Sequence, residues 1–248
     1  MDVSLNETEV MIETPEGSMG TFVVHPQGDG PFPVVLFLMD APGKRELLHE
    51  MARRWARRGY YVLLPNLYYR VTPAFELDFA SSESTHQMTE LMMGLGNRML
   101  ERDATVLFEY ADTDRRASAE TVGCVGYCMS GPFAIWIAAA HAKRVKAAAS
   151  IYGVRLAVDN PDSPHTRLSE ITGELYVACA ETDRHVPPEM VDQLEVAMAD
   201  SGVAGRLERY PGTEHGFAFD DRPAYDATAD AQHWNALFEL FDRTLEPS

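Results

Sequence analysis

Cysteine is scarce in this chain: Cys124, Cys128 and Cys179 are the only three in 248 residues. An odd count with no secretory leader argues against a disulfide framework. Cys124 and Cys128 lie four positions apart, but no second ligand pair follows at zinc spacing, so no structural metal site is expected. Positive charge is scarce too. Lys and Arg total 21 against 38 Asp and Glu, a formal net charge of −17. That balance excludes the basic surface a nucleic-acid backbone needs and disfavours docking on anionic lipid. Apolar runs long enough to span a membrane, about 18 residues, are absent. Met1 to Met19 is acidic and polar, unlike a signal or transit peptide, so a cytoplasmic location is expected. Apolar residues are plentiful at 46%, enough to offset the ordering entropy of a globular core.

The chain reads as alternating strands and helices. Glu9 to Ile12 and Met19 to His25 predict a hairpin around Thr14-Pro15-Glu16-Gly17. Pro33 to Met39 carries an unbroken apolar run, Val34 to Leu38, which predicts a strand buried on both faces. Lys44 to Arg58 places Leu47, Leu48, Met51, Trp55 and Ala56 at helical spacing, and Gly59 stops it. Tyr60 to Leu64 is the next buried strand, completing a βαβ unit. Asn66 to Thr85 reads as a long irregular loop, and Gln87 to Tyr110 as a helix weakened by Gly94 and Gly96. Strands follow at Thr121 to Tyr127, Val145 to Ile151, Leu175 to Ala180 and Gly205 to Tyr210. Helices are expected at Ser130 to His141, Pro188 to Ala199 and Asp230 to Leu245. With no linker or repeat, residues 1–248 are expected to form a single three-layer α/β domain around a mostly parallel sheet.

The strand ending at Tyr127 runs straight into Cys128-Met129-Ser130-Gly131 and then a helix. Small residues at 126, 130 and 131 allow a sharp turn with Cys128 at its apex, the nucleophile-elbow arrangement with cysteine in place of serine. The helix N-terminus there favours thiolate, and the Met129 N–H can receive an oxyanion. A buried cysteine filling space is the competing reading; the strand-to-helix position favours the functional one for Cys128, whereas Cys124 and Cys179, inside apolar strands, read as packing residues. Asp183 lies just past the strand at 175–180, and His215 just past the strand at 205–210. Ligands and chemistry gather at that edge of open α/β sheets. Glu181 and His185 are rivals for the two roles. The other six histidines read as ordinary surface or half-buried residues.

Gly126-Tyr127-Cys128, Thr182-Asp183-Arg184-His185-Val186-Pro187 and Glu214-His215-Gly216-Phe217 together resemble the dienelactone hydrolase family of α/β hydrolases, over about Thr14 to Leu245. The resemblance implies an α/β-hydrolase fold and a Cys128–His215–Asp183 triad. It implies a second oxyanion donor at the Ala41 N–H, and a thiol-tuning acid at Asp40, where the family has Glu. Leu64-Pro65-Asn66-Leu67-Tyr68 resembles another shared stretch, with Asn66 in place of the usual Asp. The family's dienelactone-cleaving members hold the substrate carboxylate with two arginines. Phe219 stands at one of those positions, and no arginine occurs between Val71 and Asn97, leaving Arg70 or Arg98 as substitutes. Tyr68, Tyr69, Phe217 and Phe219, with Phe75 and Phe79, are expected to line an apolar pocket. The expected function is hydrolysis of a small ester or lactone, carboxymethylenebutenolidase-like, with no metal or cofactor, by a monomer or small homo-oligomer. A broad carboxylesterase or thioesterase is the alternative, and a non-catalytic relative binding a ligand or partner is the second.

Overall fold

A computed structural model describes residues 3–245; Met1, Asp2 and residues 246–248, included in the expected domain, lie outside the described residues. The chain divides into two compact units, one up to Val122 and the other from Gly123. Eight strands form one sheet in the order β1-β2-β4-β3-β5-β6-β7-β8. These are β1 (Leu5–Thr14), β2 (Gly17–Pro26), β3 (Phe32–Leu38), β4 (Tyr61–Pro65), β5 (Ala117–Tyr127), β6 (Val145–Ile151), β7 (Glu174–Thr182) and β8 (Ala204–Glu214). The helices are α1 (Glu46–Arg57), α2 (Ser82–Met93), α3 (Asn97–Thr113), α4 (Gly131–Ala140), α5 (Pro188–Ser201) and α6 (Ala227–Thr244). The β1–β2 and β2–β4 pairs are antiparallel, while β3–β4, β6–β7 and β7–β8 are parallel. A mixed, mostly parallel sheet flanked by helices is the three-layer α/β architecture that the alternation predicts, consistent with the α/β-hydrolase fold that the resemblance implies. Among the described residues no helix is long and apolar enough to cross a membrane.

In the first unit, Val34 to Phe37 of β3 are wholly buried, as expected of a strand covered on both faces. Helix α1 packs its stripe of Leu48, Met51, Ala52, Trp55 and Ala56 over β2 and β4. Gly59 ends it at φ 110°, a conformation that costs glycine little. The expected single helix over 87–110 is two helices. Gly94 caps α2 with its N–H on the carbonyls of Glu90, Leu91 and Met92, and Gly96 opens α3 from an extended conformation. Helix α2 starts inside the stretch read as a loop, because the Ser81 hydroxyl accepts the N–H of Ser84 at 3.1 Å and caps it.

The remaining loop is ordered by side chains. Asn66 Oδ1 accepts the Tyr68 N–H at 3.0 Å, while its Nδ2 donates to the carbonyls of Thr72 and Pro73 at 3.0 and 3.1 Å. An ionised aspartate has no proton to donate, which accounts for the amide where the family resemblance implies Asp. Next to it, the Arg70 guanidinium reaches Asp103 at 2.6 and 2.9 Å and Glu16 at 2.5 Å, and the Tyr69 hydroxyl donates to Asp103 at 2.9 Å.

In the second unit, α4 packs on β6, and α6 packs on β6 and β7. At Gly123 a Cβ would stand 2.3 Å from the Phe241 ring, so glycine lets α6 lie close to β5. The last strand is longer than expected, because Pro211-Gly212 reads as a turn. Strand β8 is an edge strand, where a residue lacking an N–H is tolerated.

The Asp103 cluster yields a stability prediction. Asp103 is 2% exposed, and Asp103→Ala removes the buried partner of Arg70 and Tyr69. A loss of about 3 kcal/mol is expected, the scale of a broken buried pair, read as a lower urea midpoint at unchanged slope. A loss below about 1 kcal/mol, the surface-pair scale, would refute it.

Candidate active site

Cys128 sits at φ 52°, in the left-handed region that non-glycine residues avoid. The strand-to-helix turn forces this. A Cβ on Gly126 would lie 2.1 Å from the Ser130 carbonyl oxygen, and one on Gly131 would lie 2.4 Å from the Gly153 Cα. The backbones of β5, α4 and the segment after β6 therefore approach to a distance only glycine permits. The Val154 N–H fixes the turn by donating to the Cys128 carbonyl at 3.1 Å. Pro132 lies in the first turn of α4, where its missing N–H leaves no helical bond unmade.

The three cysteines differ in their surroundings. Cys124 and Cys179 are buried, whereas Cys128 is partly exposed. Burial pushes the Cys124 thiol far above the ordinary range and the Cys179 thiol up to about 12. Both are packing residues, as their strand positions predict.

Strand pairing delivers the other two side chains. In the parallel β7–β8 pair, Thr182 stands opposite Glu214, after a register shift between Ala180 and Thr182. Asp183 and His215 directly follow these two strand ends, so the register sets them side by side. His215 Nδ1 lies 2.6 Å from Asp183 Oδ2. The second carboxylate oxygen, Oδ1, accepts the His185 N–H at 2.8 Å. Cys128 also interacts with the imidazole, through a hydrogen bond and its charge. Burial alone would push His215 down, but the hydrogen bonds to Asp183 and Cys128 and their charges outweigh it and raise the imidazole to about 9. All three residues lie in the second unit.

Around the imidazole stand further rings, of which Tyr152 was not singled out by the sequence reading. Tyr152 lies with its centroid 5.0 Å from that of His215. It directly follows β6 and is held at φ 36°. Asp183 and His215 were found by their placement after strand ends, and the same criterion would have found Tyr152. His185 stands 4.9 Å from His215 in a T-shaped arrangement. His233, read as an ordinary surface or half-buried histidine, is fully buried on α6, with Nε2 3.2 Å from the hydroxyl of Tyr127.

Other expected site residues are placed as follows. Phe217 and Phe219 are 0% and 1% exposed. Phe217 stacks on Tyr210 at 4.8 Å, and Phe219 packs on Tyr127 at 5.2 Å. In the first unit Tyr68 donates its hydroxyl to the Ala41 carbonyl at 2.8 Å and packs edge-on against Phe75. Tyr68 also lines a cavity of about 360 Å³ with Leu67, Val71, Leu91, Leu95 and Met99. Tyr69 is bound to Asp103. Asp40 is 1% exposed, and its carboxylate takes the Arg45 guanidinium at 2.6 and 3.3 Å. Arg70, one candidate for holding a substrate carboxylate, is engaged by Asp103 and Glu16. Among the described residues no group of three His, Cys, Asp or Glu side chains is gathered to hold a metal ion.

Residues 19–245 match the sequence profile of the dienelactone hydrolase family. The chain is 29% identical over 251 residues to a Synechocystis protein named "Putative carboxymethylenebutenolidase", covering 99% of this chain and all of the other. An Escherichia coli K12 protein of the same printed name is 28% identical over 226 residues, covering 87% and 78%. Among solved structures, one titled as a "Putative Dienelactone Hydrolase" from Klebsiella pneumoniae superposes with a TM-score of 0.86. It covers 97% of this chain and 99% of that one at 21% identity. The elbow at Cys128, the strand-end Asp and His, the mixed sheet and a profile match spanning nearly every described residue lead to one conclusion: the chain belongs to the dienelactone hydrolase family.

Proposed function

We propose that this protein hydrolyses a small carboxylic ester or lactone, with Cys128 as nucleophile, His215 as acid and base, and Asp183 as the residue that orients His215. The observation carrying this reading is the line of hydrogen bonds from Asp183 through His215 to a partly exposed cysteine at the apex of a strained strand-to-helix turn. An imidazole raised to about 9 is protonated at neutral pH, so His215 meets the substrate as an acid, paired with the Cys128 sulfur.

The steps follow from that pair. The thiolate forms a C–S bond to the substrate carbonyl, and the charge on oxygen is received at the N-terminus of α4, where the Met129 N–H can donate. The C–O bond breaks as His215 gives its proton to the leaving oxygen. Water then adds to the acyl-enzyme while His215 takes a proton from it, and the carbon–sulfur bond breaks to restore the thiolate. From a lactone the product is a single hydroxy acid.

The relatives' printed name points to an unsaturated lactone, a butenolide. In this chain the position at which the resemblance implies a carboxylate-binding arginine is the buried Phe219, and Arg70 is already paired with two carboxylates. Both facts favour an ester or lactone that carries no free carboxylate.

Cys128→Ala should lower kcat/KM for 4-nitrophenyl acetate and dihydrocoumarin on the order of a thousandfold or more. At neutral pH iodoacetamide should label Cys128 and spare Cys124 and Cys179; turnover surviving in Cys128→Ala would end the proposal. The pH dependence has a definite sign. Because the folded-state value of His215 lies above its ordinary 6.5, the general acid is present below that value and is lost as pH rises through about 9. The stabilisation that this proton brings is complete below 6.5 and fades over the same window. Asp183→Asn removes the largest of the two hydrogen-bond contributions that raise His215, so the alkaline limb of kcat/KM should move to lower pH. A limb that stays in place would contradict the assignment of Asp183.

A further inference from the structure

The loop that supplies Asp183 also carries two residues to which the mechanism gives no task. Arg184 Nε donates to His185 Nε2 at 3.0 Å. A ring nitrogen that accepts carries no proton, so this bond selects the neutral His185 tautomer protonated on Nδ1. The His185 ring stands T-shaped against His215, with centroids 4.9 Å apart and planes 69° apart. Its backbone N–H donates to Asp183 Oδ1 at 2.8 Å. One residue thus touches both the imidazole and the carboxylate that orients it.

We propose that Arg184 and His185 are a positioning pair for His215: Arg184 holds His185 as the neutral Nδ1–H tautomer, so that the working proton resides on His215 alone. This rests on the reading of Cys128, His215 and Asp183 as the reacting group. Two imidazoles in ring contact titrate as a coupled pair, so a positive charge on His185 would weaken the hold of His215 on its own proton.

The charged groups facing His185 are His215, Arg184 and Asp183. Burial, the charge of His215 and the charge of Arg184 all push His185 below 6.5, and only Asp183 opposes them. Asp183 has one oxygen on His215 and the other on the His185 backbone amide, so its carboxylate is turned toward the imidazole that keeps the proton.

The test uses the full chain labelled with 15N-histidine. Long-range 1H–15N spectra are recorded across pH beside pH–rate profiles with 4-nitrophenyl acetate, and the His185 signals are assigned by their loss in His185→Gln. Wild-type His185 should be the Nδ1–H tautomer and titrate below 6.5. In Arg184→Ala its titration should rise by about one pH unit, and the acid limb of kcat/KM should rise with it. Arg184→Lys, which keeps a cationic donor, should recover part of both shifts. An Nε2–H tautomer in the wild type, titration at or above 6.5, or an acid limb unmoved in Arg184→Ala would each overturn the pairing. A wild type with the expected tautomer and the expected spectral shift in Arg184→Ala, yet no ester turnover, would sink the hydrolase reading and leave the tautomer assignment standing.

Discussion

At the end of β5 the main chain must reverse from strand to helix while another segment passes within van der Waals contact. Glycine at 126, 131 and 153 makes this possible, since a Cβ at 126 or 131 would stand 2.1 or 2.4 Å from a backbone atom and one at 153 would stand 2.3 Å from the Ser150 hydroxyl oxygen. The tightness transfers strain to the residue at the apex, and a non-glycine residue at positive φ costs about 1–3 kcal/mol. Cys128 bears that cost, and its carbonyl is pinned by the Val154 N–H. The consequence is chemical as well as steric. A sulfur carried on this turn lies at the N-terminus of α4 and keeps some exposure, whereas the other two thiols are sealed among apolar strands.

The imidazole reaches that sulfur by a separate constraint. Parallel pairing of β7 with β8, after its register shift, brings Thr182 opposite Glu214. The residue directly after each strand end then has a neighbour across the pair, and a hydrogen bond of 2.6 Å follows. A slip of one residue would turn Asp183 and His215 to opposite faces of the sheet, because side chains alternate along a strand. The Tyr152 ring, against His215 at 5.0 Å, and Phe217, against Tyr152 at 5.1 Å, form a wall that withdraws the imidazole from water. Withdrawal by itself disfavours the cation; the carboxylate and the sulfur more than compensate.

Much of this was legible in the sequence because it is local. The two-faced burial of β3 is written in Val34 to Leu38 as an unbroken apolar run, and the elbow in a cysteine set among small residues between strand and helix. Strand-end placement marked Asp183 and His215. What escaped the reading depends on partners distant in the chain or on hydrogen-bond polarity. Nothing near Asn66 announces that its amide must donate to two carbonyls. His233 is fully buried because α6 turns it toward Tyr127, a residue 106 positions away. Gly94 and Gly96 were visible as weak points in one helix; the structure uses them to end one helix and begin another.

Phe219 stands where the family resemblance implies an arginine. It is 1% exposed, with Tyr127 at 5.2 Å and Tyr152 at 5.8 Å. A guanidinium in that aromatic surround would lose its hydration, at a cost of several kcal/mol unless a carboxylate came to meet it. Such a site is balanced only when an anionic substrate is bound. With phenylalanine the same space is filled by packing alone, which stabilises the wall behind His215 whether or not a ligand is present. Under the proposed function, the phenylalanine removes a charge-assisted contact from recognition while leaving the elbow and the β7–β8 register as they were, which makes acyl transfer and substrate selection physically separable.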